Sequence, residues 1–85
     1  MTFDKRTVEL IALGASVAVN CQPCLQFHIN EALNVGISEP EIKEAIQVGR
    51  TIRKGAAHKM DQIVSTTIED ELIISLGSDE GCGCR

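Results

Sequence analysis

The sequence is poor in aromatic residues: of its 85 residues only Phe3 and Phe27 are aromatic, and both tryptophan and tyrosine are absent. Long apolar runs are also lacking. The longest apolar-rich stretch, residues 8–19, contains an acid, a glycine and a serine, so no membrane-spanning helix is expected. Basic residues are outnumbered, because 8 Lys and Arg face 12 Asp and Glu, which gives a net charge of −4 and a pI near 5.0. Nucleic-acid binding, which requires clustered cations, is therefore not expected.

Length and composition predict one small cytoplasmic domain. A chain of 85 residues leaves almost nothing for a second core. Residues 1–6 place an acid before two bases, unlike the start of a secretory signal, so a cytoplasmic location is expected. A domain of this size buries only about 60–68% of the surface that its unfolded chain exposes. Small domains usually need additional stabilisation, so we expect an oligomer.

The pattern of apolar residues and helix signals predicts an all-α fold. A first helix is expected from Asp4, as N-cap, to about residue 19. Proline in a first turn predicts a second helix after Cys21 that runs to about residue 34. The capping box at residues 38–41 begins a third helix, and a fourth is expected over residues 56–71.

Two features of the third predicted helix concern its packing and its end. Gly49 lies in the apolar stripe and predicts a close helix crossing. Arg50, Arg53, Lys54 and Lys59 gather near Gly55, where the helix is expected to break. Cations near a helix C-terminus interact favourably with the helix dipole, so the cluster at residues 50–54 is interpreted as a solvated helix end, with a contact to an acidic neighbour in an oligomer as the alternative.

The end of the chain has a different composition. We expect a helical domain over residues 1–76 and a flexible tail rich in glycine and cysteine over residues 77–85. β-Branched residues leave a short strand at 72–74 as an alternative. Cys82 and Cys84 in the tail form a candidate auxiliary dithiol or soft-metal ligand pair.

The strongest chemical signal is the pair Cys21 and Cys24 with His28 one helical turn further on. Two cysteines three positions apart at a helix start are within disulfide reach, and the helix N-terminus stabilises a thiolate. His28 follows Cys24 by four residues and therefore lies on the same helix face, where its imidazole can exchange a proton with the thiol. In a reducing compartment such a pair is more often catalytic than structural.

Glu9 is the third element of the candidate site. It lies in an otherwise apolar helix, on one polar stripe with Ser16 and Asn20. It is separated from Cys21 by about 18 Å along a continuous helix, so the two meet only if the chain folds back. If the second helix returns antiparallel, His28 comes closer to Glu9 than either cysteine does, and a carboxylate–imidazole–thiol order results. The competing interpretation is a solvated first-turn acid.

The four residues Glu9, Cys21, Cys24 and His28 stand in the spacing E-x11-C-x2-C-x3-H. This pattern resembles the signature of the alkylhydroperoxidase AhpD-like proteins of the carboxymuconolactone decarboxylase superfamily, over about residues 4–68. The resemblance implies an AhpD-like helical bundle in a short, single-unit form, and thiol-dependent peroxide or disulfide reduction.

The same resemblance implies a role for each residue. Cys24 would attack, Cys21 would resolve, and Glu9 and His28 would relay protons. It implies an obligate homo-oligomer, commonly a trimer or hexamer, and no cofactor. The electron donor would be a lipoyl group, a thioredoxin-like protein or a small thiol. Decarboxylase members of the superfamily lack the dithiol, so their reaction is not carried over.

Two alternatives remain from the residues themselves. In a metal-binding module, the four cysteines Cys21, Cys24, Cys82 and Cys84 would form a tetrahedral site. That interpretation leaves the spacing of Glu9 and the position of His28 unexplained. In a purely structural assembly domain, the cysteines would have no function. His58 has no partner signal and is interpreted as a surface residue.

Overall fold

The computed structural model describes residues 2–68, and within that range the chain consists of helices and turns without a strand. The helices are α1 (Lys5–Ala18), α2 (Gln22–Asn34) and α3 (Glu39–Thr67). The predicted all-α fold is confirmed. The strand alternative at 72–74, the domain boundary at 76/77 and the tail lie outside the described residues, so they stay predictions.

Local capping explains where α1 and α3 begin. The Asp4 carboxylate accepts a hydrogen bond from the backbone N–H of Thr7 at 2.9 Å, which satisfies a donor of the first turn of α1. At the start of α3, the Ser38 N–H donates to Glu41 Oε1 at 3.2 Å, and the Glu41 N–H donates to Ser38 Oγ at 3.4 Å. This reciprocal pair is the predicted capping box.

The turn between α2 and α3 is built around Gly36, which has a φ of 89°. The Gly36 N–H donates to the carbonyl of Leu33 at 3.0 Å, and the Ile37 N–H donates to that of Ala32 at 3.0 Å. These two bonds form a Schellman motif, in which a left-handed residue ends the helix and satisfies its last carbonyls. The motif directs the Ile37 side chain inward, where it is buried.

A small apolar core joins the three helices. Its members are buried aliphatic side chains with 5% or less of their surface exposed: Leu13, Ala32, Ile37 and Ile42. Five partly buried apolar side chains pack around them: Leu10, Leu25, Ile29, Ala45 and Ile46. Leu13 lies on α1 and Ala32 on α2, so burial of this core holds together the two helices that carry the candidate site.

The crossing of α1 and α3 depends on two glycines. Gly49 is buried, and a Cβ atom placed on it would overlap the carbonyl oxygen of Gly14 and lie 3.0 Å from the Gly14 carbonyl carbon and Cα. Because these are backbone atoms, no side-chain rotation could relieve the overlap. The close crossing predicted at Gly49 is confirmed.

The predicted helix break at Gly55 is wrong, because α3 continues through this residue to Thr67. A glycine inside a helix costs about 1 kcal/mol relative to alanine but does not by itself end the helix, and Gly55 has no positive φ. The fourth helix is expected at residues 56–71; its residues 56–67 are the second part of α3, and residues 69–71 lie outside the described residues. Gly55 does mark the edge of a compact unit, Met1–Gly55, which contains α1, α2 and the first part of α3.

The second unit begins at Ala56 and is described only as far as residue 68. Its helical residues expose large apolar side chains, including Met60 and Ile63. Among the described residues, no helix combines the length and the apolar character needed to cross a membrane.

Candidate redox site

The α1–α2 turn fixes where the first cysteine lies. Asn20 adopts a left-handed φ of 60°. Its N–H donates to the carbonyl of Val17 at 3.1 Å, and the Cys21 N–H donates to that of Ser16 at 2.9 Å. These bonds form a second Schellman motif, with asparagine in the left-handed position. Cys21 is therefore both the last residue of this motif and the N-cap of α2.

Cys21 and Cys24 form a disulfide at the start of α2, with a Cα–Cα distance of 5.2 Å. Cys21 Sγ also accepts a hydrogen bond from the Cys24 backbone N–H at 3.2 Å, so the sulfur acts as the helix cap. Pro23 occupies the first turn, where a missing N–H costs nothing. Cys24 is an exposed residue, whereas Cys21 is half-buried.

Glu9 and His28 meet across the hairpin, with 2.7 Å between Glu9 Oε1 and His28 Nδ1. Glu9 is only 4% exposed although it bears a carboxyl group. The interpretation of Glu9 as a solvated acid is therefore wrong. A buried carboxylate needs a partner to offset its loss of hydration, and His28 provides one. Both side chains belong to the same chain.

The contact with Glu9 orients the imidazole. A carboxylate only accepts hydrogen bonds, so His28 Nδ1 carries the proton when Glu9 is ionised. The ring also contacts Phe27 edge to face, with 5.0 Å between ring centroids and an interplanar angle of 83°. Phe27 lies three residues after Cys24 and is exposed. The sequence analysis does not predict this contact of Phe27, although the position of Phe27 between Cys24 and His28 could have indicated it.

Arg53 is a second residue that the sequence did not place near the site. Its Nη1 donates to the carbonyl of Val17 at 3.2 Å and to Asn20 Oδ1 at 2.9 Å. The predicted role as a solvated end of its own helix is wrong for Arg53, because α3 does not end there. The guanidinium instead lies at the C-terminus of α1, where a cation is favoured by the helix dipole. No local pattern connects residues 33 positions apart.

The three residues of the predicted polar stripe, Glu9, Ser16 and Asn20, each have a different hydrogen-bond partner. Glu9 binds His28, and Asn20 binds Arg53. Ser16 is buried, and its hydroxyl donates to the carbonyl of Ala12 at 2.7 Å within the same helix. Each polar group on this stripe therefore has a hydrogen-bond partner, which buried polar groups require.

The remaining candidates are placed differently. Within residues 2–68 there is no group of three or more His, Cys, Asp or Glu side chains that could hold a metal ion. Cys82 and Cys84 lie outside the described residues. His58 is exposed, as predicted for a surface residue.

The fold and the site together define an all-helical domain with a disulfide at a helix N-terminus and, in the same hairpin, a buried carboxyl group paired with a half-buried imidazole. The chain belongs to the carboxymuconolactone decarboxylase family, whose model matches residues 2–59. All four residues of the motif, Glu9, Cys21, Cys24 and His28, fall within that match.

A curated protein of Paracoccus denitrificans, named uncharacterized protein 4 in cox locus, is 38% identical to this chain over 56 residues. The alignment covers 66% of this chain and 50% of the relative. The chain therefore spans about half the length of this curated relative. No solved structure matches the chain.

Proposed function

We propose that the chain is a thiol-dependent oxidoreductase, a peroxidase or disulfide reductase, in which Cys21 and Cys24 cycle between dithiol and disulfide. The observation that carries the proposal is the buried Glu9 carboxylate 2.7 Å from His28, in the hairpin that also holds the Cys21–Cys24 disulfide. A buried acid costs several kcal/mol unless it is paired. Its pairing with an imidazole one turn from a redox pair is the arrangement expected of proton transfer.

The different exposure of the two cysteine residues supports different roles for them. Cys24 is exposed in the first turn of α2, so it is the sulfur that an incoming substrate reaches. Cys21 is half-buried and is fixed through its backbone and its sulfur. We assign Cys24 as the attacking thiolate and Cys21 as the resolving thiol.

The proposed reaction with a peroxide has two steps. The Cys24 thiolate attacks the terminal peroxide oxygen, an S–O bond forms, and the O–O bond breaks. The leaving alkoxide takes a proton from His28 and departs as an alcohol, which leaves a sulfenic acid on Cys24. Cys21 then attacks the Cys24 sulfur, the S–S bond forms, and the hydroxyl leaves as water with the proton released by Cys21.

The Glu9–His28 pair serves both steps as a proton relay. Because Nδ1 is bound to Glu9, Nε2 is the ring nitrogen that exchanges a proton with the substrate or with a thiol. The carboxylate also stabilises the imidazolium that forms when His28 takes up a proton.

A donor thiol closes the cycle by exchange with the disulfide. A donor thiolate attacks one sulfur, a mixed disulfide forms, and a second donor thiol releases the reduced pair. We propose a lipoyl group, a thioredoxin-like protein or a small thiol as this donor. The exposed Phe27 beside Cys24 offers the donor an apolar contact.

A single-turnover experiment tests the function. The reduced protein is mixed anaerobically with one equivalent of an alkyl hydroperoxide, quenched by alkylation and digested with trypsin. Because cleavage follows Lys and Arg, the Cys21–Cys24 pair is recovered on residues 7–43 and the tail cysteines on residues 60–85. Mass spectrometry of these peptides reports which pair has been oxidised.

The expected result is a Cys21–Cys24 disulfide that forms with loss of peroxide. Cys24→Ser should abolish turnover. Glu9→Gln should slow it by about 10- to 100-fold, which is less than the about 10²–10⁴-fold contributed by a group that itself transfers the proton, because Glu9 acts through His28. His58→Ala, which removes an exposed histidine, is the matched control and should not change the rate. Full peroxidase and disulfide-reductase rates in Cys24→Ser would contradict the proposal.

The metal-binding alternative is distinguished from the redox function by measuring bound metal and free thiols on protein purified without oxygen. Stoichiometric zinc with four protected cysteines would favour that alternative. Protein without zinc that forms the Cys21–Cys24 bond on stoichiometric peroxide would favour the redox function.

We also propose that the chain assembles as a homo-oligomer, a trimer or hexamer. Within the compact unit, α1 and α3 flank an open, mostly apolar groove of about 690 Å³, lined in part by Ile11, Val48 and Ile52. Each of these three side chains is more than half exposed. Exposed apolar surface of this kind is typical of subunit contacts, and a second copy of the chain is the proposed occupant of the groove.

A further inference from the structure

The turn before Cys21 is held by a residue of α3. Arg53 Nη1 binds the Val17 carbonyl and Asn20 Oδ1, at 3.2 and 2.9 Å. Val17 lies in the last turn of α1, and Asn20 is joined directly to Cys21. One guanidinium thus binds both the backbone and the side chain of the turn that carries the N-cap cysteine of α2.

The two Schellman turns found within residues 2–68 differ at their left-handed residue. The α2–α3 turn uses Gly36, and glycine adopts a positive φ without steric cost. The α1–α2 turn makes the same pair of backbone bonds with Asn20. Asparagine tolerates this conformation less readily than glycine, but its side chain provides the acceptor for Arg53, which glycine lacks. The contact with Arg53 therefore accounts for asparagine at position 20 better than the left-handed turn alone does.

We propose that Arg53, acting through Asn20, is a positioning residue that holds Cys21 where it closes the disulfide with Cys24. The inference rests on the proposed function, because it concerns the same cysteine pair. When the turn is held, the two thiols of the reduced protein stay close, and the effective concentration of one thiol at the other is high. Release of the turn lowers this effective concentration and makes the disulfide easier to reduce.

The quantity to measure is the equilibrium between the protein and glutathione. Two glutathione molecules reduce the Cys21–Cys24 bond: one S–S bond breaks, another forms between the two glutathiones, and two electrons and two protons pass to the cysteines. The protein is equilibrated anaerobically in buffers of graded glutathione ratio, alkylated, and quantified on the tryptic peptide of residues 7–43. The quantity obtained is the equilibrium constant for formation of the disulfide, which is called the closing constant below.

Two variants break the contact from opposite sides. Arg53→Met removes the donors and keeps an unbranched side chain, and Asn20→Gly removes the acceptor and keeps the left-handed turn. Each should lower the closing constant three- to tenfold, which is ~15–30 mV for this two-electron couple. The double variant should shift it no more than the larger single effect, since both changes remove one interaction. Arg50→Met, on the exposed surface of the same helix, is the matched control and should leave the constant unchanged.

Asn20→Gly also distinguishes positioning from simple stabilisation of the fold. Glycine suits the left-handed φ, so this variant should unfold at the same temperature as the wild type or higher while its disulfide becomes more reducible. If Arg53→Met does not fold, Asn20→Gly decides alone. A wild-type closing constant in Asn20→Gly, or additive shifts in the double variant, would overturn the inference. Peroxide takes no part in this equilibrium, so a chain inactive towards peroxide would count against the proposed function and not against the role of Arg53.

Discussion

The α1–α3 crossing leads to a stability prediction for Gly49→Ala. The new Cβ would overlap the Gly14 carbonyl oxygen and lie 3.0 Å from two other backbone atoms of Gly14, so the two helices must move apart. Overpacking of this kind costs about 1–3 kcal/mol, and the upper end applies because the obstacle is backbone. Alanine recovers about 1 kcal/mol of helix propensity. The net loss in the free energy of unfolding should be about 2 kcal/mol, measured by urea denaturation followed by far-UV circular dichroism.

Two other glycines provide matched controls for the same substitution. A Cβ on Gly55, in the same helix as Gly49, meets no atom within 4 Å, so Gly55→Ala should stabilise the protein by about 0.5–1 kcal/mol. A Cβ on Gly14 lies 3.2 Å from the Ala45 carbonyl oxygen, so its effect should fall between the other two. Urea denaturation at two protein concentrations distinguishes these effects on folding from effects on oligomer assembly. If Gly49→Ala were as stable as Gly55→Ala, the packing argument would be refuted.

Three further predictions concern acid sensitivity, assembly and the tail. The pKa of Asp4 lies below its usual value because Thr7 hydrogen-bonds the carboxylate, and the pKa of Glu41 is lowered chiefly by the backbone of Ser38. Because both pKa values are lowered in the folded protein, the two carboxylates stabilise the fold at pH values above about 4, and this contribution is lost as the pH falls below that value. Asp4→Asn combined with Glu41→Gln should therefore make the free energy of unfolding less dependent on pH in the acid range, as followed by circular dichroism. If the groove is a subunit contact, Val48→Glu should reduce the mass measured by light scattering to that of one chain. An unchanged oligomer would exclude the groove as a subunit contact. Removal of residues 81–85 should leave peroxide consumption intact but slow reduction by the natural donor, and equal rates with every donor would exclude a tail relay.

The sequence predicted those parts of the structure that depend on neighbouring residues. The capping box at residues 38–41 and the acid cap at Asp4 are local signals, and both helices begin where these signals indicate. The contact between Glu9 and His28 was expected on the condition that the second helix folds back along the first, and the 2.7 Å between the two side chains agrees with that expectation. Whether these residues form the active site stays a prediction that the proposed variants test.

The errors arose where distant residues or weak breakers decide the outcome. The helix end predicted from Gly55 alone is wrong, because one glycine costs too little to stop a helix that the other residues favour. A break at Gly55 also predicts that Arg53 lies at the end of its own helix, whereas its guanidinium binds the end of α1. The partner of an arginine across 33 residues is fixed by the crossing of α1 and α3, and no periodicity encodes that crossing in detail.

The E-x11-C-x2-C-x3-H pattern therefore describes only the part of the site that the α1–α2 hairpin supplies. Gly49 lets α3 approach the backbone of α1, and Arg53 follows it by one helical turn. The same close approach that places α3 against α1 thus brings the guanidinium to the turn before Cys21. If this coupling holds, Gly49→Ala should make the disulfide more reducible as well as destabilise the fold, whereas Gly55→Ala should change stability alone. A Gly49→Ala protein with a wild-type closing constant would show that the position of Cys21 is set by the hairpin without help from α3.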